Sequence, residues 1–408
     1  MSKHPPSLVV VAAGVMQVPA IETAKRMGLR VIATDWNPNA PGFELADHHV
    51  ILDIRDAEAH RQWARQHGRA QNIVGAFAGA DCAMAVAAIT DELGLPGISF
   101  EVAVRSNQKT AMKQVWLADG VQTPWAEEAD SFEVAKNLVE SHGCPVMVKA
   151  IDNAASRGIR RIDSIDELPE AYSDACHHSS TGTCLIEEYI EGDEFSVETI
   201  MAEGIQKRFG IIDRHFDLPG LPIETGYTNP SRLSLDVQEE IYRVAAHAAQ
   251  SLGILNGPAK GDMIIARDGR VMILEMAARL SGGFHSQYST PLALGIEPIK
   301  AAMQQAIGQP FDDAWSQPQW SKVSLMRGIM PPIGRITAIE GIDVARNMPG
   351  AAHLIVAAEV GDTFAAYRHC AQRAVYGIVL GDTYEEAEER WRQIEAAVTI
   401  RVEALSGQ

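Results

Sequence analysis

The segment that decides the fold runs from Cys184 to Glu198 and reads CLIEEYIEGDEFSVE. A short apolar run, a turn at Gly192 and a second apolar run indicate two strands joined by a tight connection. Acidic residues crowd both strands and the turn, and burying all of them in a core would be costly. The segment therefore forms either an exposed acidic edge hairpin or the lining of a ligand site.

An adenosine site suits this pattern. Backbone groups near Tyr189 and Ile190 are placed to read the edge of an adenine ring, and Glu188 or Glu194 is placed to accept hydrogen bonds from ribose hydroxyls. Under this hypothesis the nucleotide-binding residues of the segment are Glu187, Glu188, Tyr189, Ile190 and Glu194.

Upstream of this segment, Lys149 ends the apolar strand Pro145–Val148 and precedes a turn of mostly small residues, Asp152–Gly158. A lysine supplies a point charge and such a turn supplies backbone N–H groups, and together they can hold phosphates. The alternative is a solvated lysine at the end of a strand. The pattern predicts nucleotide contacts for Lys149 and Ser156.

Downstream, Asp262 and Glu275 lie on two apolar strands joined by an Asp-Gly turn within Arg267–Arg270. Antiparallel pairing brings the two carboxylates together, and a divalent metal between them relieves their repulsion. The hairpin predicts that Mg²⁺, or Mn²⁺ in its place, binds Asp262 and Glu275. The alternative is an ordinary surface salt bridge.

Beyond the hairpin, Arg279 is placed to meet a phosphate or a developing acyl phosphate, and Ser281–Gly283 allows close backbone approach. Arg279 and Lys149 are the predicted catalytic residues. Arg327 is predicted to hold a substrate carboxylate through a bidentate pair, and the alternative is a structural ion pair. The predicted substrate pocket comprises Arg279, Gly282, Gly283, His285, Arg327 and Tyr227.

Composition limits the class of protein. The 408 residues are too many for one compact core, and 46% hydrophobic with 22% charged residues is typical of a folded multidomain enzyme. A net charge of -18 without clustered Lys and Arg argues against nucleic acid as a partner. Five scattered cysteines suggest neither a disulfide framework nor a zinc site. The apolar run Leu8–Val15 is too short to span a membrane, so a cytoplasmic protein is expected.

The chain begins with a strand-helix-strand pattern: an apolar run at Leu8–Val11, a periodic helix at Val18–Met27 and a strand at Arg30–Asp35. This predicts a doubly wound N-terminal domain. The connection Ala12–Gln17 lacks the GxGxxG pattern, which disfavours a dehydrogenase although Asp35 stands where a ribose-binding acid would.

The order and spacing of these elements resemble the ATP-grasp superfamily, from about Ser106 to Gly283 and including Asn107-Gln108-Lys109-Thr110. The resemblance implies that Lys109 and Lys149 contact nucleotide phosphates. It also implies a hinge acid at Glu188, a ribose acid at Glu194 and metal ligands at Asp262 and Glu275.

The C-terminal part sharpens this resemblance. The segments Met326–Thr337, Val360–Thr363 and Gly377–Ala387 look like the C-terminal domain of L-amino-acid ligases, and the chain also resembles proteins like the carbamoyl phosphate synthetase large subunit. The implied fold is α/β and α+β multidomain, an ATP-grasp fold. Its expected parts are a Rossmann-like domain at 1–105, an ATP-grasp domain at 106–320 with a lid at 125–190, and a C-terminal α+β domain at 321–408.

The chain departs from the family pattern in two places. Many members have Asn two residues after the metal glutamate, where this chain has Ala277, so one metal ligand of the wider pattern is missing. The turn after Lys149 carries Ala154 and Ala155 where glycines are common. The missing Asn disfavours a biotin carboxylase or carbamoyl phosphate role more than it disfavours catalytic activity as such.

The resemblance implies an ATP-dependent ligase that uses ATP and Mg²⁺ or Mn²⁺. A substrate carboxylate would attack the γ-phosphate, and an amine would then attack the acyl phosphate. The expected partners are a small-molecule carboxylate and an amine, together with a second copy in a homodimer. The alternatives are a biotin-carboxylase-like carboxylase and a non-catalytic nucleotide-binding protein.

Overall fold

The structure of the chain is a computed structural model that describes residues 4–151, 158–218, 221, 223–367 and 369–405. Ser156 and the alanines of the predicted phosphate turn, Ala154 and Ala155, lie outside the described residues. None of the described helices is long and apolar enough to cross a lipid bilayer.

The N-terminal residues form a parallel sheet with strand order β3-β2-β1-β4. Its central strand is apolar and buried on both faces, as expected when helices cover a parallel sheet. Asp35 ends the second strand and accepts a hydrogen bond from the backbone N–H of Ala13 (2.8 Å), so it braces the loop after the first strand. The elements are β1 (Ser7–Val11), α1 (Val18–Arg26), β2 (Arg30–Asp35), β3 (His48–Ile51), α2 (Ala57–His67), β4 (Ile73–Phe77) and α3 (Ala83–Leu93).

Two helices lead to a small antiparallel sheet with strand order β5-β8-β6-β7. One face of this sheet packs its apolar side chains against α6 and α7. The other face carries Lys149 and Glu187, because side chains alternate along a strand. The elements are α4 (Phe100–Asn107), α5 (Lys109–Ala118), β5 (Ala126–Ala129), α6 (Phe132–His142), β6 (Val146–Ala150), β7 (Ile159–Ile162), α7 (Leu168–His178) and β8 (Cys184–Glu188).

A second, eight-stranded sheet has the order β13-β12-β9-β10-β11-β14-β18-β16. The predicted hairpin is confirmed: its two strands pair antiparallel and turn at Gly269, whose φ of 87° favours glycine. Helix α8 buries its apolar face against this sheet. The elements are β9 (Gly192–Ala202), β10 (Ile205–His215), β11 (Gly226–Asn229), α8 (Leu235–Leu252), β12 (Gly257–Ala266), β13 (Val271–Ala277), α9 (Thr290–Leu294) and α10 (Pro298–Ala306).

The C-terminal residues extend this sheet and add a three-stranded sheet of order β17-β15-β19. Strands β14, β16 and β18 lie beyond residue 320 but pair into the eight-stranded sheet, so hydrogen bonding runs across the predicted domain boundary. Trp391 and Ile394 of α12 pack beneath them. The elements are β14 (Val323–Ile329), β15 (Gly334–Glu340), α11 (Ile342–Arg346), β16 (Ala351–Val356), β17 (Thr363–Phe364), β18 (Val375–Gly381), α12 (Tyr384–Ala397) and β19 (Thr399–Glu403).

Candidate active site

Strand alternation gathers the polar side chains of the eight-stranded sheet on one face, called here the cleft face. Apolar residues of β9, β12 and β13 pack into the core on the opposite side, so the residues between them point the other way. These polar residues are neighbours because β9 pairs with β10 and β12, β10 pairs with β11, and β12 pairs with β13. The cleft face carries Glu194, Ser196 and Glu198 on β9, Arg214 on β10, Tyr227 on β11, Lys260 and Asp262 on β12, and Glu275 and Ala277 on β13.

Asp262 and Glu275 are directly opposite each other in the register of β12 and β13. Asp262 is largely buried and accepts hydrogen bonds from Lys260 and from the Ser196 hydroxyl (2.8 Å). Burial raises the pKa of Asp262, but Lys260 and Arg214 outweigh it and hold the pKa far below its usual value. Glu275 is 41% exposed and receives one ion pair, from Lys109 at 3.2 Å. The two predicted carboxylates therefore face each other, and Asp262 is ionised.

These two carboxylates fit a divalent cation. Mg²⁺ prefers carboxylate oxygens and leaves room for nucleotide phosphates, so two protein carboxylates suffice for it. Glu275 keeps one oxygen away from Lys109 and is partly open. Within the described residues no group of three or more His, Cys, Asp and Glu lies together, so phosphate oxygens or water would complete the coordination.

Arg214 connects the acids of the cleft face. It lies 2.6 Å from Glu194, 2.7 Å from Glu224 and 3.4 Å from Asp262. Burial raises the pKa of Glu194 above its usual value, since Arg214 only partly offsets the cost of burying the carboxylate. The ribose acid predicted from the sequence therefore lies beside the predicted metal ligand.

The small sheet presents a buried ion cluster. Glu187 is 2% exposed, hydrogen-bonds Lys149 and lies 3.1 Å from the ammonium of Lys113. Burial raises the pKa of Glu187, but the two lysines outweigh it and keep the carboxylate ionised. Burial lowers the pKa of Lys113 to about 8. Lys149 is thus held in place by Glu187.

Helix α5 links the two sheets. Lys109 at its first turn reaches Glu275 of the eight-stranded sheet, and Lys113 one turn later reaches Glu187 of the small sheet. The backbone N–H of Lys109 also donates to the carbonyl of Ile151, at the start of the predicted phosphate turn (2.9 Å). The helix therefore positions the predicted phosphate-binding lysines Lys109 and Lys149 relative to the metal ligands.

The segment after β13 brings the N-terminal sheet to the site. Arg279 pairs with Asp81, which follows β4, and its guanidinium also donates to the Leu280 carbonyl (3.0 Å). Gly283 has a φ of 62°, a left-handed value that favours glycine. A side chain at Gly282 would come within 3.3 Å of Met16 in the loop after β1. Glycine therefore suits the backbone conformation at 283 and the tight contact with Met16 at 282.

Glu198 anchors this segment from below. Both its oxygens lie 3.1 Å from the backbone N–H of Ser281, and the Ser286 hydroxyl also donates to it. Nδ1 of His285 lies 3.3 Å from the same carboxylate. Burial opposes ionisation of Glu198, but the surrounding donors hold its pKa below its usual value. Tyr227 donates to the Gly283 carbonyl (3.1 Å), so the predicted residues His285 and Tyr227 support the glycine segment.

The remaining predicted residues lie further from this cluster. Arg327 is on the opposite face of the eight-stranded sheet, where it donates to the Tyr227 carbonyl (2.7 Å), and the structure does not bring it to the cleft face. Glu188 accepts a weak hydrogen bond from the Trp125 N–H (3.4 Å), and the ring of Tyr189 stacks under Arg161. Ile190 connects β8 to β9, so the hinge residues link the two sheets.

Sequence reasoning missed four cations. Arg373 is 3% exposed, donates to Glu224, and its Nε has no hydrogen-bond partner among the described atoms. Lys113 carried a signal, because its spacing of four from Lys109 puts both on one face of a helix. Lys260 also carried one, since it alternates with Asp262 on a strand. Arg214 and Arg373 had none, because only the sheet pairing brings them to the acids.

Comparisons with known proteins identify two domains in the chain. A model of the ATP-grasp domain matches residues 142–287, and a model of the L-amino acid ligase C-terminal domain 2 matches residues 327–403. The D-alanine--D-alanine ligase of Pseudomonas putida (strain GB-1) is 26% identical over 237 residues, covering 56% of this chain and 71% of that protein. The enzyme of the same name from Marinobacter nauticus is 29% identical over 195 residues, covering 46% of this chain and 59% of that protein.

Solved structures share the whole fold. The L-amino acid ligase from Bacillus licheniformis has a TM-score of 0.84 at 21% identity, and the match covers 98% of this chain and 100% of that one. Phosphoribosylglycinamide synthetase from Anaerococcus prevotii has a TM-score of 0.76 at 22% identity, with the same coverage. The chain therefore has the ATP-grasp fold, with an ATP-grasp domain followed by an L-amino acid ligase C-terminal domain.

Proposed function

We propose that the protein is a carboxylate-amine ligase that activates an amino acid or small carboxylic acid as an acyl phosphate and passes it to an amine. The observation that carries this proposal is the pairing of Asp262 with Glu275 on the cleft face, with Lys109 on one carboxylate and Lys260 on the other. Such a site concentrates positive charge where phosphoryl transfer develops negative charge.

ATP would lie between the small sheet and the cleft face. Lys109 and Lys149 would bind its phosphates, and Glu194 would accept hydrogen bonds from the ribose. Support for this placement is that helix α5 holds Lys109 beside Glu275 and Lys113 beside Glu187. The hinge from Glu187 to Ile190 would border the adenine. Ser156, outside the described residues, keeps its predicted nucleotide contact as part of this proposal.

Asp262 and Glu275 would hold Mg²⁺ or Mn²⁺, which supplies Lewis-acid neutralisation of the phosphate oxygens when bound. Arg279 would stabilise the charge that forms on the carboxylate as it takes up the phosphoryl group. In the described structure Arg279 is braced by Asp81, so its guanidinium is oriented before substrate arrives. Gly282 and Gly283 would allow the substrate to approach the backbone closely.

A polar pocket for the substrate would lie at Glu224 and Arg373. The buried carboxylate suits an ammonium group, and the Nε of Arg373, which has no hydrogen-bond partner among the described atoms, suits a carboxylate. Tyr227 and His285 would shape its floor through the Gly283 segment. An amino acid carries both charged groups, which favours it over a simple acid as one substrate.

An amine rather than bicarbonate is favoured as the partner by the match to the L-amino acid ligase C-terminal domain at residues 327–403. The test is ADP formation from ATP across a panel of amino acids, offered singly and in pairs, with bicarbonate as a separate arm. We expect one pair of amino acids to stimulate ADP release and to yield a product whose mass equals their sum less water. Stimulation by bicarbonate alone would favour the carboxylase alternative. ATP binding without stimulated turnover in any arm would refute the ligase proposal.

The homodimer expectation extends this proposal. A solved structure of the same fold, the biotin carboxylase domain dimer of Hydrogenobacter thermophilus 2-oxoglutarate carboxylase, has a TM-score of 0.74 at 20% identity. Light scattering on the purified chain tests the expectation. A mass twice that of the 44.3 kDa chain supports it, and the mass of a single chain contradicts it.

A further inference from the structure

The reaction outlined above places Lys260 on Asp262 but gives it no contact with the nucleotide or the substrate. It precedes Asp262 by two residues on β12, its ammonium hydrogen-bonds Asp262, and its side chain is 14% exposed. An ordinary surface ion pair is more open than this and contributes little. Lys260 is instead a largely buried cation inside the predicted metal site.

The strand register shows what stands opposite Lys260. Asp262 faces Glu275 across the β12–β13 hairpin, and Lys260 faces Ala277. Ala277 and Glu275 lie on the same face because they are two residues apart on a strand. A methyl group offers no oxygen to a metal. These four neighbouring positions, called here the row, therefore present the carboxylates of Asp262 and Glu275, the ammonium of Lys260 and the methyl group of Ala277.

Each carboxylate of this row already contacts at least one cation of the protein. Asp262 contacts Lys260 and Arg214, and Glu275 contacts Lys109. Enzymes that transfer phosphoryl groups often use two divalent ions about 3.5–4 Å apart. A second divalent ion beside Ala277 would have no side-chain oxygen from that position and would lie next to the Lys260 ammonium.

We propose that Lys260 replaces a second divalent ion, so that this site uses one metal ion, on Asp262 and Glu275, and one fixed ammonium. The inference rests on the proposed ligase function. During transfer, the bond from the γ-phosphorus to the bridging oxygen of ADP breaks, and ADP leaves with that electron pair. A carboxylate oxygen of the substrate forms the new bond to phosphorus. Lys260 contacts the phosphoryl oxygens through its ammonium group, which makes it a catalytic residue.

The test counts metal ions without turnover. Mn²⁺ is titrated into the full chain with a non-hydrolysable ATP analogue, and bound Mn²⁺ per bound nucleotide is measured by electron paramagnetic resonance. We expect one ion for the natural chain. We expect two ions for the double variant Lys260→Met with Ala277→Asn, since it removes the ammonium and adds a ligand oxygen. Two ions in the natural chain would overturn the proposal.

Single variants separate charge from structure. Lys260→Met keeps most of the side-chain volume, and Asp262 retains Arg214 and Ser196, so we expect the protein to fold and turnover to fall about 10²-fold or more. Lys260→Arg keeps the charge, and we expect it to retain more activity than Lys260→Met. The matched control is Lys207→Ala, which removes a lysine of β10 that pairs with exposed Asp313, and we expect it to change neither readout.

The outcomes distinguish the two proposals. If no substrate stimulates ADP release but nucleotide-bound protein still holds one Mn²⁺, and two in the double variant, the ligase proposal fails while the metal replacement stands. If turnover is found but Lys260→Met leaves both turnover and the Mn²⁺ count unchanged, the ligase proposal stands and the assignment of Lys260 is wrong.

Discussion

Glu187 and Glu275 are both strand acids near the same cleft, but the two sheets treat them differently. Glu187 of the small sheet is 2% exposed, and both its carboxylate oxygens pair with lysines, Lys113 and Lys149. Glu275 of the eight-stranded sheet is 41% exposed and has one lysine partner, Lys109. A buried acid with two cations positions other residues, whereas a half-open acid with one cation still has an oxygen to offer a ligand.

The largest effect is expected at the open acid. Glu275→Gln should lower turnover by roughly 10³-fold or more, because an amide is a weaker metal ligand and carries no charge. The measurement is ADP formation with the active substrate pair, accompanied by Mn²⁺ binding. Glu340→Gln is the matched control, since Glu340 forms an exposed pair with Arg401 on the three-stranded sheet. Full activity in Glu275→Gln would remove Glu275 from the metal site.

The next effect is expected at the buried acid, and it concerns stability. Glu187→Gln leaves Lys113 and Lys149 buried without a carboxylate, and breaking such a cluster typically costs about 3–5 kcal/mol. Hydrogen exchange of backbone amides in β6 and β8 should show faster local opening of the small sheet. Glu275→Gln should leave the same amides unchanged. Equal loss of protection in the two variants would contradict the contrast between the acids.

A third acid tests whether hydrogen bonds can replace cations. Glu198 is fully buried like Glu187 but is surrounded by the Ser281 N–H, the Ser286 hydroxyl and the His285 ring instead of by two lysines. Glu198→Gln should cost about 1–3 kcal/mol of stability, because the amide nitrogen cannot accept these bonds. Thermal unfolding with and without nucleotide measures the change. Glu198→Asp keeps the charge at a shorter reach, and an effect on stability confined to Glu198→Asp would contradict this account.

The smallest effect is expected on the face opposite the cleft, where His215 bonds Thr228. Burial, with a contribution from Arg327, lowers the pKa of His215 to about 4 from 6.5. The unfolded chain therefore binds a proton at a higher pH than the folded chain, and the stability present above pH 6.5 declines as the pH falls towards 4. The contribution is on the order of 1–2 kcal/mol after allowance for solvent screening.

His215→Gln should remove this component of the pH dependence. The free energy of unfolding, measured in urea between pH 7 and about pH 4.5, should fall less steeply in the variant than in the natural chain. His247→Gln serves as the control, because it removes a histidine from helix α8 instead of from strand β10. A parallel decline in the natural chain and His215→Gln would show that His215 does not titrate in this range.

The sequence by itself determined the local elements and brought two carboxylates to one hairpin. The apolar run at Leu8–Val11, the Asp-Gly turn before Arg270 and the glycines at 282–283 specify their conformations through short-range physics, and the structure has the corresponding elements. The separation of Asp262 from Glu275 across a short turn leaves little freedom in their pairing. Local pattern is therefore enough to predict the hairpin and its two carboxylates.

Only the tertiary structure decided which cations meet these acids. Arg373 reaches Glu224 from 149 residues away, and Arg214 reaches Glu194 and Asp262 through the pairing of β9 with β10 and β12, so no local pattern encodes these contacts. The face of Arg327 depends on a one-residue register, which turns its side chain away from Met326 and the cleft. The eight-stranded sheet also contains strands from both sides of the predicted boundary at residue 320, because β11 hydrogen-bonds β14. Such pairing depends on the edges that two strands present to each other and not on local composition. Long-range pairing and register set the electrostatics of this site.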